Sequence, residues 1–327
     1  MTDPLILTHW DLDGAVAGIC MANALRRLNY DPPVTYINYN KIDQIVDNLL
    51  TEFKGKEKML LFLDFRLEPQ YIRRLCVEPG FRVVVVDHHE WTEADLAEVE
   101  RIRLSHALGK LLFKWDQSKS GCLQTHELTK TIGQYDPDLD FLVHCANIYD
   151  LWKEDEPEFK EHCLALNEMF FALKPEGFVA EFDKGYPGHL SPKCAEIWQK
   201  FEAEREHYMN KAMTEGAITY TFPSGRRMVG VIQPEPRFIN LFTIYHPEFS
   251  YFFVVKQYDK NGEVTLSVRM RNGHTLSVQD VVEIASQHFD GVRGGGHIKA
   301  GGLTCPAGVD LGDFFETVVG TMESAGA

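Results

Sequence analysis

Four consecutive valines, Val83 to Val86, run straight into Asp87-His88-His89-Glu90. A stretch that is apolar at every position is a strand covered on both faces, which commits this part of the chain to a parallel sheet between helices. In an open sheet of that kind, ligands sit in the crevice beyond the carboxyl ends of the strands. Asp87, His88 and His89 are therefore delivered to where a site is built. An Asp and two imidazoles can bind a divalent transition metal. Standing alone, the triplet reads more simply as a capped strand end whose histidines bond to backbone carbonyls.

The pattern repeats. Pro4 to Thr8 is a short apolar strand that runs into His9-Trp10-Asp11-Leu12-Asp13-Gly14, and a helix follows with apolar Val16, Ile19, Cys20, Leu25 and Leu28. His9, Asp11 and Asp13 alternate, so an extended segment would turn all three to one side. Two carboxylates and an imidazole held together repel or desolvate one another unless a cation sits among them. The plainer reading is an acidic helix N-terminus facing the macrodipole. Val34 to Tyr39 predicts a second strand and Ile42 to Phe53 a helix. Lys58 to Leu63 predicts a third strand ending on Asp64, followed by a helix near Pro69 to Val77, with proline at its first turn. Three strands in the first ninety residues thus end on acids, and two of them also bring histidine.

Beyond Glu90 the periodicity weakens. Leu111 to Asp116 reads as a short strand, and Ser118 to Gly121 introduce a helix from Cys122 to Thr131 with a hydroxyl placed to cap it. Asp138 to Tyr149 reads as a further helix with Asp150 at its carboxyl end, where the helix dipole disfavours a carboxylate. A bound cation offsets that cost; a solvated helix-end acid is the ordinary alternative.

The formal net charge of −15 disfavours a broad, sequence-independent grip on nucleic acid, which needs a basic stripe. Small phosphorylated substrates stay open, because local cations override a global field. No apolar run reaches the roughly 20 residues of a membrane span. Met1-Thr2-Asp3-Pro4 lacks the basic start of a signal peptide, and the seven cysteines are scattered without a Cys-x-x-Cys pair. The expectation is a cytoplasmic protein.

Ser191 to Glu215 is charged and helical in character, a connector. After Gly216 the composition shifts to short β-type runs at 217–222, 228–232, 249–258 and 264–269, with Asn261-Gly262 as a hairpin signal between the last two. The chain closes with Gly294-Gly295-Gly296-His297-Ile298-Lys299-Ala300-Gly301-Gly302. Glycines there either punctuate a loop or let backbone N–H groups approach a phosphate, with His297 and Lys299 adding charge. Arg269 is a further phosphate fork, or else one half of a surface ion pair.

Assembled, these residues resemble the DHH phosphoesterase superfamily, in the branch that ends in a DHHA1 domain. His9-x-Asp11-x-Asp13-Gly14, Asp64, Asp87-His88-His89 and Asp150 look like its four motifs in order, and Ser267-Val268-Arg269 with Gly294-Gly295-Gly296-His297 looks like the DHHA1 signature. The resemblance implies an α/β fold: an N-terminal parallel-sheet DHH domain over 1–188, a helical linker over 189–215, and a smaller α+β DHHA1 domain over 216–327. It implies two divalent ions, Mn2+ by preference with Mg2+ as the alternative, one held by His9, Asp11 and Asp64, the other by Asp13, Asp64, His88 and Asp150. His89 would help bind the scissile phosphate, and Asp87 would orient the histidines. Arg269, Gly294, Gly295, Gly296 and His297 would hold the distal part of the substrate, with the site in a cleft between the domains. Oxygen and imidazole ligands without thiolate suit Mn2+ or Mg2+.

The activity this implies is hydrolysis of small nucleotides: short oligonucleotides, linear dinucleotides or pAp. A cyclic dinucleotide phosphodiesterase, an exopolyphosphatase, a RecJ-like single-strand exonuclease and a nucleotide sensor without turnover are the alternatives. No long duplex and no membrane are expected as partners, and a homodimer stays open.

Overall fold

The computed structural model describes residues 3–105, 110–221, 225–232, 236–258, 262–270, 277–296 and 300–326. It divides into two compact units, Met1–Gln199 and Lys200–Ala327.

The first unit alternates strands and helices: β1 (Asp3–His9), α1 (Leu12–Arg27), β2 (Val34–Ile37), α2 (Ile42–Glu52), β3 (Lys58–Leu63), α3 (Pro69–Val77), β4 (Phe81–Asp87), α4 (Glu93–Ser105) and β5 (Leu111–Trp115). Then come α5 (Gly121–Thr131), α6 (Asp140–Asp150), α7 (Leu164–Phe182) and α8 (Pro192–Glu215), the last crossing into the second unit. The five strands are all parallel, in the order β2-β1-β3-β4-β5. The valine run fills β4, where Val83, Val85 and Val86 are buried and Val84 is half-buried. On one face, Leu7, Phe62, Val83 and Val85 pack with Val46 and Leu49 of α2, Ile72 and Leu75 of α3, and Val99 and Ile102 of α4. Each such side chain contributes about 1.5–3 kcal/mol by leaving water. The helices α1 and α5 contact the sheet's strands and each other, and α1 also packs on α6 and α7. α1 is buried over most of its length, so it runs beneath other helices rather than on the surface.

With this strand order the connection leaves β1 toward β2 on one side and resumes at β3 on the other. The crevice between the carboxyl ends of β1 and β3 is the switch point at which such sheets bind ligands. Thr8 fastens that crevice, its hydroxyl donating to the carbonyls of Gly14 (2.6 Å) and Leu63 (3.1 Å).

The second unit has β6 (Ala217–Thr221), β7 (Arg227–Ile232), α9 (Phe242–Tyr245), β8 (Tyr251–Tyr258), β9 (Val264–Met270), α10 (Val278–His288), β10 (Arg293–Gly296), β11 (Ala300–Cys305) and α11 (Leu311–Gly326). Its six strands run in the order β10-β11-β9-β8-β7-β6, antiparallel except for the β7–β8 pair. Val281 and Ala285 of α10 and Phe314, Phe315 and Val318 of α11 bury against Phe253, Leu266 and Val268 of this sheet. The expected architecture, a parallel α/β unit followed by a smaller α+β unit, is the one observed.

Three local expectations change. Only His9 of the His9-x-Asp11-x-Asp13 run lies on a strand. Asp11 is the N-cap of α1, accepting from Gly14 N at 2.8 Å, and Asp13 sits in the first helical turn. The three side chains therefore gather through a strand-to-helix turn rather than by alternation. Ser120 occupies the N-cap of α5, yet its hydroxyl makes no cap bond and lies 3.3 Å from Cys122 Sγ. The glycine-rich segment is a strand: Gly294, Gly295 and Gly296 pair with Leu303, Gly302 and Gly301, so backbone groups of this run belong to a ladder rather than an open loop. A Cβ on Gly294 would fall 2.3 Å from the Gly302 carbonyl oxygen, whereas one on Gly295 would meet nothing within 4 Å.

Candidate metal centre

At the carboxyl ends of β1, β3 and β4 the chain places His9, Asp64, Asp87, His88 and His89, and α1 and α6 add Asp11, Asp13 and Asp150. Nδ1 of His9 is 2.6 Å from Asp11 Oδ2 and 3.9 Å from Asp64 Oδ2. Nε2 of His88 is 3.2 Å from Asp64 Oδ1, 3.3 Å from Asp150 Oδ2 and 3.9 Å from Asp13 Oδ2. Three overlapping groups each offer ligand atoms within 4.8 Å of one another: His9, Asp11 and Asp64; Asp13, His88 and Asp150; and Asp64, His88 and His89.

Each member is held by a different local device. Asp13 receives backbone N–H bonds from Gly121 (2.6 Å) and Cys122 (3.0 Å), so its carboxylate caps α5 in place of the Ser120 hydroxyl. Asp87, fully buried, accepts from Trp91 Nε1 at 2.6 Å and stands 2.7 Å from His89 Nδ1. This orients His89 and leaves its Nε2 for the cluster. Asp87 makes no contact with His88 among the hydrogen bonds and ion pairs of the described residues, so its orienting contact is with His89 alone. Asp64 has φ +52°, the left-handed region that an Asp enters at a cost of order 1–3 kcal/mol. Its N–H donates to Val86 O at 2.8 Å, which holds that strained turn in place.

Burial and mutual repulsion shape the charge of these acids. Burial, together with the charges of Asp13, Asp11 and Asp150, pushes the Asp64 carboxyl well above the usual carboxylate range. Burial and the charges of Asp13 and Asp11 do the same to Asp150. Both oxygens of Asp64 and Oδ2 of Asp150 are buried without a hydrogen-bond partner. Buried polar atoms are as a rule hydrogen-bonded, so unpartnered oxygens gathered in one cluster of acids and imidazoles could ligate a cation. Burial also pulls the His88 imidazole down, toward the neutral form that ligates metal. For His89 burial pulls in the same direction, but the Asp87 contact outweighs it and raises the group. For Asp11 burial pushes up, and the His9 contact brings the net shift down. A hard-donor set with orphaned buried oxygens and no cysteine fits divalent ions such as Mn2+ and Mg2+.

Trp91 was not expected in this role, and neither was Tyr39, whose ring lies 5.3 Å from that of His9 and 5.9 Å from that of His89. Tyr39 lies just past a strand's carboxyl end, which is the position that marks the acids. Its apolar ring carried no chemistry to flag it.

In the second unit, Arg269 Nε and Nη2 both donate to Asn240 Oδ1, at 2.8 and 2.7 Å, and Nη1 donates to Ser267 Oγ at 2.9 Å. No carboxylate pairs with it among the described residues, so the surface ion pair is not what forms. His297 and Lys299 lie outside the described residues.

Asp87→Asn removes one of two acceptors that face two N–H donors, His89 Nδ1 and Trp91 Nε1. An amide cannot accept both, and stranding a buried donor costs about 1–3 kcal/mol. Denaturant unfolding of the variant is expected to show a midpoint shift of that size at unchanged slope.

No protein-family model and no curated protein sequence matches the chain. Solved structures do. The pGpG-specific phosphodiesterase PggH from Vibrio cholerae superposes with a TM-score of 0.61 at 11% identity, covering 100% of both chains. A DHH domain described as a member of the S1p family of ribosomal proteins gives 0.59 at 16% identity, over 98% of this chain and 86% of that one. RecJ from Thermus thermophilus, in complex with Mn2+, gives 0.57 at 14% identity, over 98% of this chain. This chain spans 52% of that RecJ. At such identities the likeness is one of fold, and it extends along both units.

Proposed function

Because the chain has the fold of DHH-domain proteins, we propose that it is a metal-dependent phosphoesterase acting on small nucleotides, a 5′-phosphorylated dinucleotide, a short oligonucleotide or pAp. The observation that carries this reading is the pair of buried, unpartnered Asp64 oxygens between His9 with Asp11 on one side and His88 on the other. His9, Asp11 and Asp64 would hold one divalent ion, and Asp13, Asp64, His88 and Asp150 a second, with Asp64 shared. Such ions supply Lewis acidity and lower the pKa of water. The chain's own residues do the rest. His89, oriented by Asp87 through Nδ1, would turn its other ring nitrogen to a phosphoryl oxygen, and the Asp87 contact favours the protonated form that donates there. Asp13, with both oxygens anchored on α5, fixes the spacing of the acids. In the second unit Arg269, without an acidic partner among the described residues, offers positive charge to a phosphate group.

The solved structures with this fold include one described as pGpG-specific and one holding Mn2+, which supports the same class. The net charge of −15 weighs against the long single strands a RecJ-type exonuclease threads. Seven free, buried cysteines suit a reducing cytoplasm, and no helix of the described residues is long and apolar enough to cross a membrane.

A panel of pAp, a linear dinucleotide, a cyclic dinucleotide, a longer single strand and polyphosphate, each with Mn2+ and with EDTA, tests the proposal. Turnover of the first two that EDTA abolishes is expected. Binding without product in Mn2+ would make the protein a sensor, and preferred hydrolysis of polyphosphate would place it elsewhere. Arg269→Gln is expected to raise KM about 10–100-fold and lower kcat less, the size of one lost charged hydrogen bond.

A further inference from the structure

The geometry assigns Tyr39 as the shelf on which the base of the substrate stacks, the residue that separates nucleotides from bare phosphates. The assignment rests on the phosphoesterase reading and deepens it. Tyr39 is a large aromatic left 41% exposed, beside a cluster of acids and imidazoles. Its ring lies parallel to that of Phe65, with centroids 4.3 Å apart and 17° between planes, and Phe65 is fully buried. Its hydroxyl accepts from the Arg66 N–H at 3.2 Å. One face and one end of the ring are thus fixed, and the ring remains open enough to receive a second planar group.

That anchoring also sets the distance. Phe65 and Arg66 directly follow Asp64, so the segment that presents the unpartnered carboxylate also presents the backing of the shelf. The His9 and His89 rings lie 5.3 and 5.9 Å from the Tyr39 ring. A phosphate held at the histidines therefore has an aromatic surface about one sugar unit away, and base–aromatic stacking is available to any base because each has a π-face. It also suits an acidic protein. Stacking recognises the neutral part of a nucleotide and asks for no basic stripe, which the net charge of −15 denies.

The test uses a 5′-phosphorylated dinucleotide and its analogue with the base at the phosphorylated end removed, both hydrolysed with Mn2+, and a version carrying 2-aminopurine at that end. On mixing, before product forms, wild-type protein is expected to quench the 2-aminopurine. It should also prefer the complete dinucleotide over the abasic one, through KM. In Tyr39→Ala, and in Tyr39→Leu, which keeps bulk over Phe65 without a π-face, the quench should vanish and the preference shrink by roughly 5- to 100-fold, the range that stacking supplies. Tyr39→Phe should retain both. Turnover of the dinucleotide with the quench and the preference intact in Ala and Leu overturns the shelf while leaving the phosphoesterase. Absence of any turnover in wild-type protein overturns the phosphoesterase reading itself, which makes the two failures distinguishable.

Discussion

Asp64→Asn is expected to make the metal-free protein more stable at neutral pH while it removes the shared grip on divalent ions. Asn is the informative replacement because it tolerates the left-handed backbone that Asp64 adopts at φ +52°, so the change tests charge rather than conformation. In the metal-free protein the folded-state pKa of Asp64 is raised by burial and by Asp13, Asp11 and Asp150. A carboxyl shifted in that direction binds its proton more tightly folded than unfolded. Its contribution to stability is therefore complete below the ordinary carboxylate pKa near 3.9 and is lost as pH rises through the folded value. Asp150 acts with the same sign. Thermal melts in EDTA should fall from about pH 4 upward in the wild type and fall less in Asp64→Asn. A gain on the order of 1 kcal/mol would appear as roughly 2–4 °C. Mn2+ should raise the wild-type Tm at pH 7 by mass action and leave the variant nearly unmoved. Metal affinity should drop by more than the 10–100-fold that follows loss of a group that only orients a ligand, and turnover should fall with it. A variant that melts lower than wild type in EDTA, or binds Mn2+ as well, would end the bridging assignment.

Gly121→Ala is expected to be nearly as damaging, and through geometry alone. A Cβ at this position would lie 2.5 Å from Asp64 Cβ, 2.7 Å from its Cα and 2.8 Å from its Oδ1. The two nearest, Cβ and Cα, cannot swing aside with a side-chain rotation, so backbone must move. The Gly121 N–H meanwhile donates to Asp13 at 2.6 Å, so displacement of α5 carries a second acid away from the cluster. Overpacking of this kind costs about 1–3 kcal/mol. Loss of metal-dependent turnover should accompany it, because two acids shift together. Gly295→Ala, where the added carbon meets nothing within 4 Å, is the comparison that should fold with unchanged stability. Parallel unfolding and Mn2+ titrations of the two variants check both expectations.

Much of the first unit was legible along the chain. Valine at every position of the Val83–Val86 run and the apolar runs of β1 and β3 report a doubly covered sheet, because burial on both faces is written into local composition. The acids and histidines at the ends of those strands were equally visible. α4, which buries only Val99 and Ile102, and α7, two helical stretches joined across a kink at Lys174-Pro175, left a weaker trace. Periodicity fades where a helix buries only two residues, or where a kink breaks its phase. Ser120 was read as a cap by its residue type, and the cap came instead from Asp13, far away in sequence. A hydrogen-bond acceptor that arrives from another element has no signature in the neighbouring residues.

The sequence by itself determined that acids and imidazoles end successive parallel strands, since residue pattern and strand polarity are local properties. The folded structure alone decided which of them meet. Asp150 reaches His88 only because α6 packs on α1 and α5. Gly121 packs directly against Asp64, whose buried side-chain oxygens make no hydrogen bond, and Tyr39 becomes a fixed surface because Phe65 lies beneath its ring. Those outcomes depend on which groups satisfy, crowd or desolvate one another across the core, and such pairings are settled when the layers pack.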